Sequence, residues 1–459
     1  MKSLFRLCLF SLLASSCIEE VDFELDKYVK VLSLDRSSFA EKVIELENGD
    51  LMILGEMGIG AFDLESTGQG TQPNELEDQA PFISITDANG NLKMLRMYPL
   101  EDFDAQYDLN ALGLGSGEFE LLGINNITSF HNVVQTGDGG FVVHAQSLGF
   151  GLINPITGEV DLSEAGDQNY NDFLYRLDAD YNVEKIVSMQ AFPGWDFTSR
   201  IRGRLKALAN DQVGFLMSQR QRLLDQLNSS GMTFLHLQPN LDTVRISDIE
   251  LETDLIAYDF TTDPENNISF LTTTERHFEV FQMPLEEIVT SRFAESTKNS
   301  TLIAGEAVQG QNTDEQWIEQ LPDGSYILVY TQPLLGIVYE RRDQNFALIN
   351  GPVDLRGENS YPNATIRATR AVSITQNGDI LIYVLVIPGN EGAEIESLYG
   401  ELFRVSPFGI TVFEQRIDGI PGDVIETQDG SIVAVSNPSY NGSLQKIQIT
   451  KLDANGRLN

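Results

Sequence analysis

The stretch "NVVQTGDGGFVVHAQS", residues 132–147, carries the clearest structural signal in this chain of 459 residues. A short extended run leads into Thr-Gly-Asp-Gly-Gly, and a run of Phe and Val follows directly. Glycine supplies the positive φ that a tight turn between two twisted strands requires, so this pattern predicts a β-hairpin.

The same pattern recurs along the chain. Strong copies are "VIELENGDLMILG", "WIEQLPDGSYILVY", "AVSITQNGDILIYVL" and "DVIETQDGSIVAVS", and weaker copies are "LKALANDQVGFLMS" and "LIAYDFTTDPENNISFLTT". The seven turn positions are Gly49, Gly139, Asp211, Asn267, Gly324, Gly378 and Gly430. The last five are spaced by roughly 50 to 57 residues. Repeated β units of this size are typical of a propeller, in which each blade is a four-stranded sheet.

The second half of each unit supplies two further strands. "PFISIT" and "DFLYRLD" are third strands, and "LKMLRMY" and "VEKIVSM" are fourth strands. Helical periodicity is nearly absent; the best helix candidate, Ser218 to Leu227, is expected to lie on a loop or to extend a strand. The sequence therefore predicts an all-β fold, a seven-bladed β-propeller.

The two ends of the chain complement each other. The last unit stops after the turn in "KLDANGRLN", without a fourth strand, whereas "YVKVLSLD" near the start resembles a fourth strand that has no unit of its own. We therefore predict that Tyr28 to Leu34 pairs with the last blade and closes the ring, which leaves no sheet edge between the termini.

The first residues have the features of a secretory signal: Lys2 and Arg6, an apolar run over residues 7–13, and small residues before Cys17. Cys8 lies within this signal, so the mature chain would hold one thiol, at its first residue. A secreted chain without disulfides whose single cysteine lies at the cleavage point is best explained if that sulfur accepts a lipid.

"LASSC" resembles a bacterial lipobox, although Ala14 stands where Leu is usual. The acidic "IEEVDFELD" that follows is similar to the export signal of surface lipoproteins of Bacteroidota; the alternative is an acidic, solvated tether. The chain thus divides into a lipoprotein signal peptide over 1–16, an acidic tether over 17–27 and a propeller over 28–459. The expected location is the outer membrane, lipid-anchored and facing the cell exterior.

The charge of the chain excludes one class of function. It has 68 acidic and 30 basic residues, a formal net charge of −38. Such a field repels phosphate backbones, so we expect no nucleic acid partner.

The repeat "TGDGGFVV" at residues 136–143 resembles the T-x-D-G-G-[FY]-[IV]-[IV] units of secreted or lipid-anchored β-propeller proteins of Bacteroidota. This resemblance covers most of the chain and concerns architecture only, because a fold of this kind supports many functions.

Local motifs for catalysis or metal binding are weak. His131 and His144 flank one hairpin and could face each other across it, and we expect them to form a polar pair at a strand end. Asp178, Asp180 and Asn182 resemble the first half of a calcium loop, but Val183 replaces the required glycine and the closing Glu is missing, so a simple turn is favoured. We therefore predict no cofactor. A pair of carboxylates that hydrolyses sugars leaves no local motif, so a carbohydrate-active enzyme, a glycoside hydrolase or lyase, remains the alternative.

Loop lengths point to a functional face. The tight turns gather on one face, and the long connections, such as residues 58–80 and 100–128, gather on the other. Long loops on a rigid scaffold often carry function. Aromatic residues in or beside these connections are candidates for stacking on a sugar or anchoring a protein: Phe103, Tyr107, Tyr170, Trp195 and Tyr361. The favoured function is a binding or assembly subunit that recognises a protein, such as an outer-membrane barrel, or a glycan.

Overall fold

The structure is a computed structural model, and it is an all-β propeller. It describes residues 28–32, 34, 37–58, 79–98, 127–149, 169–189, 203–223, 226–251, 256–263, 267–273, 278–284, 300–303, 316–332, 336–355, 366–387, 398–440 and 444–458. These residues contain no α-helix, only a 3-10 turn at Ala209–Asp211. Accordingly, they include no helix with the length and apolar character to cross a bilayer.

Strand β1 (Tyr28–Leu32) precedes six antiparallel sheets, each built from four consecutive strands. The first two sheets contain β2 (Ser38–Glu45), β3 (Leu51–Gly58), β4 (Gln79–Thr86), β5 (Leu92–Met97), β6 (Ile127–Gln135), β7 (Phe141–Gly149), β8 (Asn169–Leu177) and β9 (Val183–Met189). The next two contain β10 (Arg204–Ala207), β11 (Val213–Leu223), β12 (Gln226–Leu237), β13 (Thr243–Leu251), β14 (Ile256–Thr262), β15 (Asn267–Thr273), β16 (Phe278–Pro284) and β17 (Ser300–Ile303). The last two contain β18 (Trp317–Gln320), β19 (Tyr326–Gln332), β20 (Gly336–Arg342), β21 (Leu348–Asp354), β22 (Ile366–Ile374), β23 (Ile380–Ile387), β24 (Tyr399–Val405) and β25 (Thr411–Asp418).

A further four-stranded sheet combines both ends of the described chain. Its strands are β26 (Ile420–Glu426), β27 (Ile432–Asn437), β30 (Ile447–Leu452) and β1, in the order β1-β30-β27-β26. Strand β1 runs antiparallel to β30, with Tyr28 opposite Lys451 and Leu32 opposite Ile447. A small ribbon of β28 (Ser439–Tyr440) and β29 (Leu444–Gln445) lies between β27 and β30 in the chain.

One edge strand of each sheet, which we call its first strand, lies at the centre of the molecule. These first strands are β2, β6, β10, β14, β18, β22 and β26. Contacts join β2 to β6, β6 to β10, β10 to β14, β14 to β18, β22 to β26 and β26 to β2. Each sheet thus packs against its neighbours at its inner edge, as in a propeller.

The core lies between adjacent sheets. One cluster joins Leu54 and Ile83 of the first sheet to Phe130 and Tyr175 of the second. Another joins Leu32 of β1 to strands of the first sheet and to β27 and β30. Buried hydrophobic side chains on both faces of every sheet explain the near-continuous apolar runs of the second strands.

Tight turns define one face of the propeller, which we name the short-turn face. It carries the hairpin turns between first and second strands and the turns between third and fourth strands. Gly49, Gly139, Gly324, Gly378 and Gly430 all have φ near +80° in the hairpin turns. In the equivalent turn of the third sheet Asp211 takes this role with φ 62°. The opposite face, at which β3 ends and β4 begins, is named the long-loop face.

The prediction of an all-β propeller is confirmed. The helix candidate of residues 218–227 proves to be strand, because β11 continues to Leu223 and β12 begins at Gln226.

Candidate functional site

Five first strands carry a β-bulge at the same level. In β2 the pairing shifts between Ala40 and Lys42, so that Glu41 is the extra residue. The corresponding extra residues of β6, β14, β22 and β26 are His131, Tyr258, Arg370 and Gly422. A bulge redirects the side chain of the extra residue, and bulges occur often beside active sites.

A fixed spacing places these residues at one level. Glu41 lies eight residues before Gly49, and His131, Arg370 and Gly422 precede their own hairpin glycines by the same distance. Gly203 and Gln316 occupy the equivalent positions beside the two short strands β10 and β18. Residues from different blades therefore converge on the centre of the propeller.

A cavity of about 80 Å³ lies at this level. Its walls come from six of the first strands and their flanking residues: Glu41, Lys42, His131, Asn132, Gly203, Arg204, Trp317, Thr369, Arg370, Gly422 and Asp423. Ligand pockets for small molecules usually measure about 300–1,000 Å³, so this cavity admits a polar group or the tip of a ligand.

Glu41 and His131 form the most reactive pair in the wall. Glu41 Oε1 lies 3.6 Å from His131 Nδ1, and the two side chains are 13% and 10% exposed. A carboxylate beside an imidazole orients the ring. This pair therefore offers a site for proton transfer to or from a ligand.

The ring of His131 lies against a buried polar residue, His144. The His131 and His144 rings have centroids 5.8 Å apart, so the predicted polar pair is confirmed as a ring contact. His144 Nε2 lies 2.7 Å from Asp172 Oδ1, and Gln146 Nε2 donates to the same oxygen at 3.0 Å. The two histidines lie midway along their strands, at the bulge, so the predicted position at a strand end is wrong.

Arg204 and Trp317 form a second part of the wall. The guanidinium carbon of Arg204 lies 4.1 Å from the Trp317 ring centroid, a cation–π contact, and Arg204 Nε donates to the Tyr258 carbonyl at 3.2 Å. These contacts fix the plane of the guanidinium, which favours recognition of polar groups of matching geometry.

In β14 and β26 the residue after the bulge is an aspartate that joins neighbouring blades. Asp423 Oδ2 accepts from the Val43 N–H at 3.1 Å and lies 2.9 Å from Lys42 Nζ. Asp259 Oδ2 likewise accepts from the Ile318 N–H at 3.0 Å. The cavity wall is therefore also the joint between blades, and its geometry is fixed by charged hydrogen bonds.

Lys206 lies one level nearer the short-turn face, between Asp259 and Glu319. Lys206 Nζ donates to Asp259 Oδ2 at 3.0 Å and to Glu319 Oε1 at 2.8 Å. Burial alone would lower the pKa of Lys206, but the two carboxylates outweigh it and raise this pKa above its usual value. Burial raises the pKa of Glu319, and Lys206 opposes that shift.

Two glycines allow the close approach of strands here. A Cβ added at Gly422 would lie 2.3 Å from the Ala40 carbonyl oxygen, and one at Gly203 would lie 2.3 Å from the Phe215 ring. A side chain at Gly422 would separate two blades, and a side chain at Gly203 would displace Phe215 of its own sheet.

Of the residues that the sequence predicted as site residues, the structure describes Tyr170. It lies on β8 with its backbone opposite Leu148. Cys17, Phe103, Tyr107, Trp195 and Tyr361 lie outside the described residues, so their roles stay predictions. Sequence reasoning missed Glu41, Arg204, Trp317 and Arg370. Glu41 and Arg370 lie eight residues before their hairpin glycines, and Arg204 and Trp317 lie seven residues before Asp211 and Gly324.

The calcium-like segment is a turn between β8 and β9. Asp178 Oδ1 accepts from the N–H groups of Asp180 and Asn182, at 2.9 and 2.7 Å, and Oδ2 accepts from Asn182 Nδ2. The Asn182 hydrogen bonds lower the pKa of Asp178. Within the described ranges, no three His, Cys, Asp or Glu side chains are grouped as metal ligands.

No protein-family model and no curated protein matches this sequence. Among solved structures, the chain is similar to the polysaccharide lyase Uly1, with 10% identity, 91% of this chain and 90% of that one covered, and a TM-score of 0.43. It is similar to a mutant NanB sialidase from Streptococcus pneumoniae, with 11% identity, 96% and 73% covered, and a TM-score of 0.38. A protein of unknown function from Bacteroides caccae has 11% identity, 62% and 87% covered, and a TM-score of 0.36.

Proposed function

We propose that this protein is a lipid-anchored binding subunit of the outer membrane, exposed on the cell surface. Its ligand would bind over the central cavity, on the long-loop face. The observation that carries this proposal is the convergence of bulged residues from separate blades, Glu41, His131 and Arg370 among them, on one polar cavity. Independent bulges at one level are a feature of sites rather than of cores.

The ligand class follows from the size of the cavity. A space of about 80 Å³ holds a polar tip, so the rest of the ligand would contact the long connections around it. Aromatic residues of those connections, Tyr107 and Trp195 above all, would stack on a sugar or anchor a protein surface. A glycan or a protein loop meets both requirements.

Ring closure is part of this proposal, because a rigid ring keeps the cavity residues in place. We propose that β1 completes a seventh blade. Two contacts across the joint support it: Asn437 exchanges hydrogen bonds with the backbone of Ala40, at 2.7 and 3.0 Å, and the Gln428 N–H donates to Glu45 Oε2 at 2.6 Å. The Gln376 N–H bonds to Glu426 Oε2 in the same way at the preceding joint, between the sheet of β22–β25 and the sheet that contains β26.

The alternative is a carbohydrate-active enzyme on the same scaffold. One observation favours it: the 3.6 Å contact between Glu41 and His131 places an acid–base pair in the cavity wall. Such a pair would move a proton to or from a sugar that reaches the cavity.

A pull-down of the full-length protein from native membranes in mild detergent tests the proposal. A stoichiometric partner or a bound glycan supports binding, and turnover of a glycan by the purified protein supports the enzyme. Trp195→Ala and Tyr107→Ala should weaken the association, and the control Asp180→Lys, in an exposed short turn, should leave it unchanged. Equal loss in the control, with the fold intact, would contradict the long-loop face as the binding surface.

A further inference from the structure

Exposed hydrophobic side chains are distributed unevenly over the propeller. The large ones in the described residues are Val29, Leu92, Leu95, Val244, Leu348, Ile349, Phe408, Ile410, Val412 and Leu458. Val29 lies on β1, and the others lie in fourth strands or in the turns that precede or replace them. Most of these positions are at the strand end nearer the short-turn face. The outer rim of that face is therefore the apolar part of a chain that is otherwise strongly acidic.

Three of these side chains lie close together in the chain, on the turn before β25 and at the start of that strand, and we name them the rim patch: Phe408, Ile410 and Val412. Phe408 and Ile410 are the most exposed, at 70% and 66%. Their turn packs on the neighbouring blade, because the Pro407 carbonyl accepts from Tyr339 Oη at 3.0 Å. A Cβ at Gly409 would lie 2.7 Å from Asn350 Nδ2. The turn that carries the rim patch is thus held against the neighbouring blade.

The N-terminal segment leaves the propeller at the same face. Tyr28, the first described residue, donates from its hydroxyl to the Ala88 carbonyl at 3.3 Å, and its ring lies against Gly90. Both partners belong to the turn between β4 and β5, which is on the short-turn face. Lys30 Nζ also bonds to Asn91 Oδ1 beside this turn. The tether therefore starts from the short-turn face.

The length of the tether limits where the membrane can be. Residues 17–27 reach at most about 40 Å when fully extended, because each residue spans up to about 3.6 Å. Passing from the short-turn face to the long-loop face along a strand of eight residues would use about 27 Å of this reach. A bilayer against the short-turn face requires no such detour.

We propose that the rim patch rests on the lipid surface, so that the short-turn face is turned to the membrane and the central cavity opens away from it. The inference rests on the proposed lipid anchor at Cys17. Apolar side chains on a rigid edge enter the boundary between headgroups and acyl chains, and the tether keeps them close to it. A zwitterionic surface carries no net charge, so it does not repel the acidic face as an anionic surface would. The ligand would then arrive from the extracellular solution.

Site-specific fluorescence tests this orientation. Full-length acylated protein would be placed in phosphatidylcholine vesicles, with a dye attached at Phe408→Cys or, as the matched control, at Asp418→Cys at the other end of the same strand region. The acylated Cys17 has no free thiol, so each introduced cysteine is labelled alone. We expect brominated acyl chains to lower emission roughly twofold at position 408, since such side chains lie about 5–10 Å deep, and to leave position 418 unchanged.

The possible outcomes separate the two proposals. Protein that does not sediment with the vesicles would overturn the anchor and this inference together. Protein that sediments but shows no quenching at 408, or stronger quenching at 418, would overturn only the orientation. Protection of position 408 in native membranes but not in lipid vesicles would assign the rim patch to a protein partner instead. The double substitution Phe408→Ser with Ile410→Ser should leave the melting temperature unchanged. It should abolish the quenching by brominated acyl chains of a dye attached at Val412→Cys.

Discussion

Glu41 Oε1 lies 3.6 Å from His131 Nδ1, across the boundary between the first two sheets of the propeller. Each residue is the extra residue of a β-bulge, and each precedes its hairpin glycine by eight positions. The contact thus joins equivalent positions of two repeats that have acquired complementary side chains. This is the relationship on which the proposed site depends.

The first prediction concerns this pair. Glu41→Gln keeps the shape of the side chain but removes the charge beside His131, so we expect ligand binding at the cavity to weaken about tenfold, the effect of losing one hydrogen bond to a charged group. The measurement is the Kd for the partner or glycan recovered from membranes. Glu47→Gln, in an exposed turn, is the control. Equal affinity of both variants and the wild type would contradict a role for the cavity.

The second prediction concerns the anchor. Cys17→Ala removes the proposed lipid acceptor, so the protein should move from the membrane fraction to the soluble fraction. Cys8→Ala, within the signal, should leave the distribution unchanged. Protease treatment of intact cells then distinguishes surface display from a periplasmic position. Membrane retention of Cys17→Ala would refute the lipid anchor at this residue.

The third prediction concerns the strand that pairs with the C-terminal sheet. Leu32 of β1 is buried in the core, whereas Val29 on the same strand is exposed. Leu32→Ala should lower the free energy of unfolding by about 2–4 kcal/mol, the usual cost of a cavity in a core, and Val29→Ala should change it little. Urea unfolding measures both. Equal small effects, together with an unchanged melting temperature after removal of residues 28–32, would show that this segment is only a tether.

The fourth prediction concerns the contact between β2 and β26, the first strands of the first and last sheets. Asp423 is buried and binds both Lys42 Nζ and the Val43 N–H. Asp423→Ala leaves both donors without this partner, so unfolding should become easier by about 3 kcal/mol. Asp418→Ala removes an exposed carboxylate of the adjacent sheet and should cost less than about 0.5 kcal/mol. Chemical denaturation of the two variants decides between a structural joint and a surface ion pair.

The fifth prediction concerns acid stability. Hydrogen bonds from Arg176, Thr136 and the Gly140 N–H lower the pKa of Asp138 well below its usual range. A carboxyl with a lowered pKa in the fold stabilises the protein above its unfolded pKa of about 3.9, and this contribution is lost as pH falls through the folded value. The stability difference between wild type and Asp138→Asn should therefore be larger at about pH 6 than at about pH 2.

Asp180→Asn, in an exposed short turn, provides the control for the pH series. Its stability difference from the wild type should be small and nearly constant over the same range. A difference for Asp138→Asn that does not change with pH would show that the hydrogen bonds, rather than the charge, account for its effect.

The sequence by itself determined the strands and turns of this protein, because those depend on local chemistry. Alternating apolar runs around Asn-Gly and Asp-Gly turns predicted the hairpins, and Gly139, Gly324 and Gly430 adopt the positive φ that such turns need. The propeller followed from the recurrence of that unit. The contact between His131 and His144 was also within reach, because both residues belong to one hairpin.

Only the tertiary structure decided which side chains meet at the centre. Glu41 and Arg370 are 329 positions apart in the chain, and their convergence depends on how separate sheets pack around one axis. Bulges leave no strong local signal, because the extra residue can be of any type: Glu41, His131, Tyr258, Arg370 and Gly422 share no chemistry. The exit of the tether was equally hidden, since Tyr28 meets Ala88 only when the sheet that contains β1 packs against the first sheet.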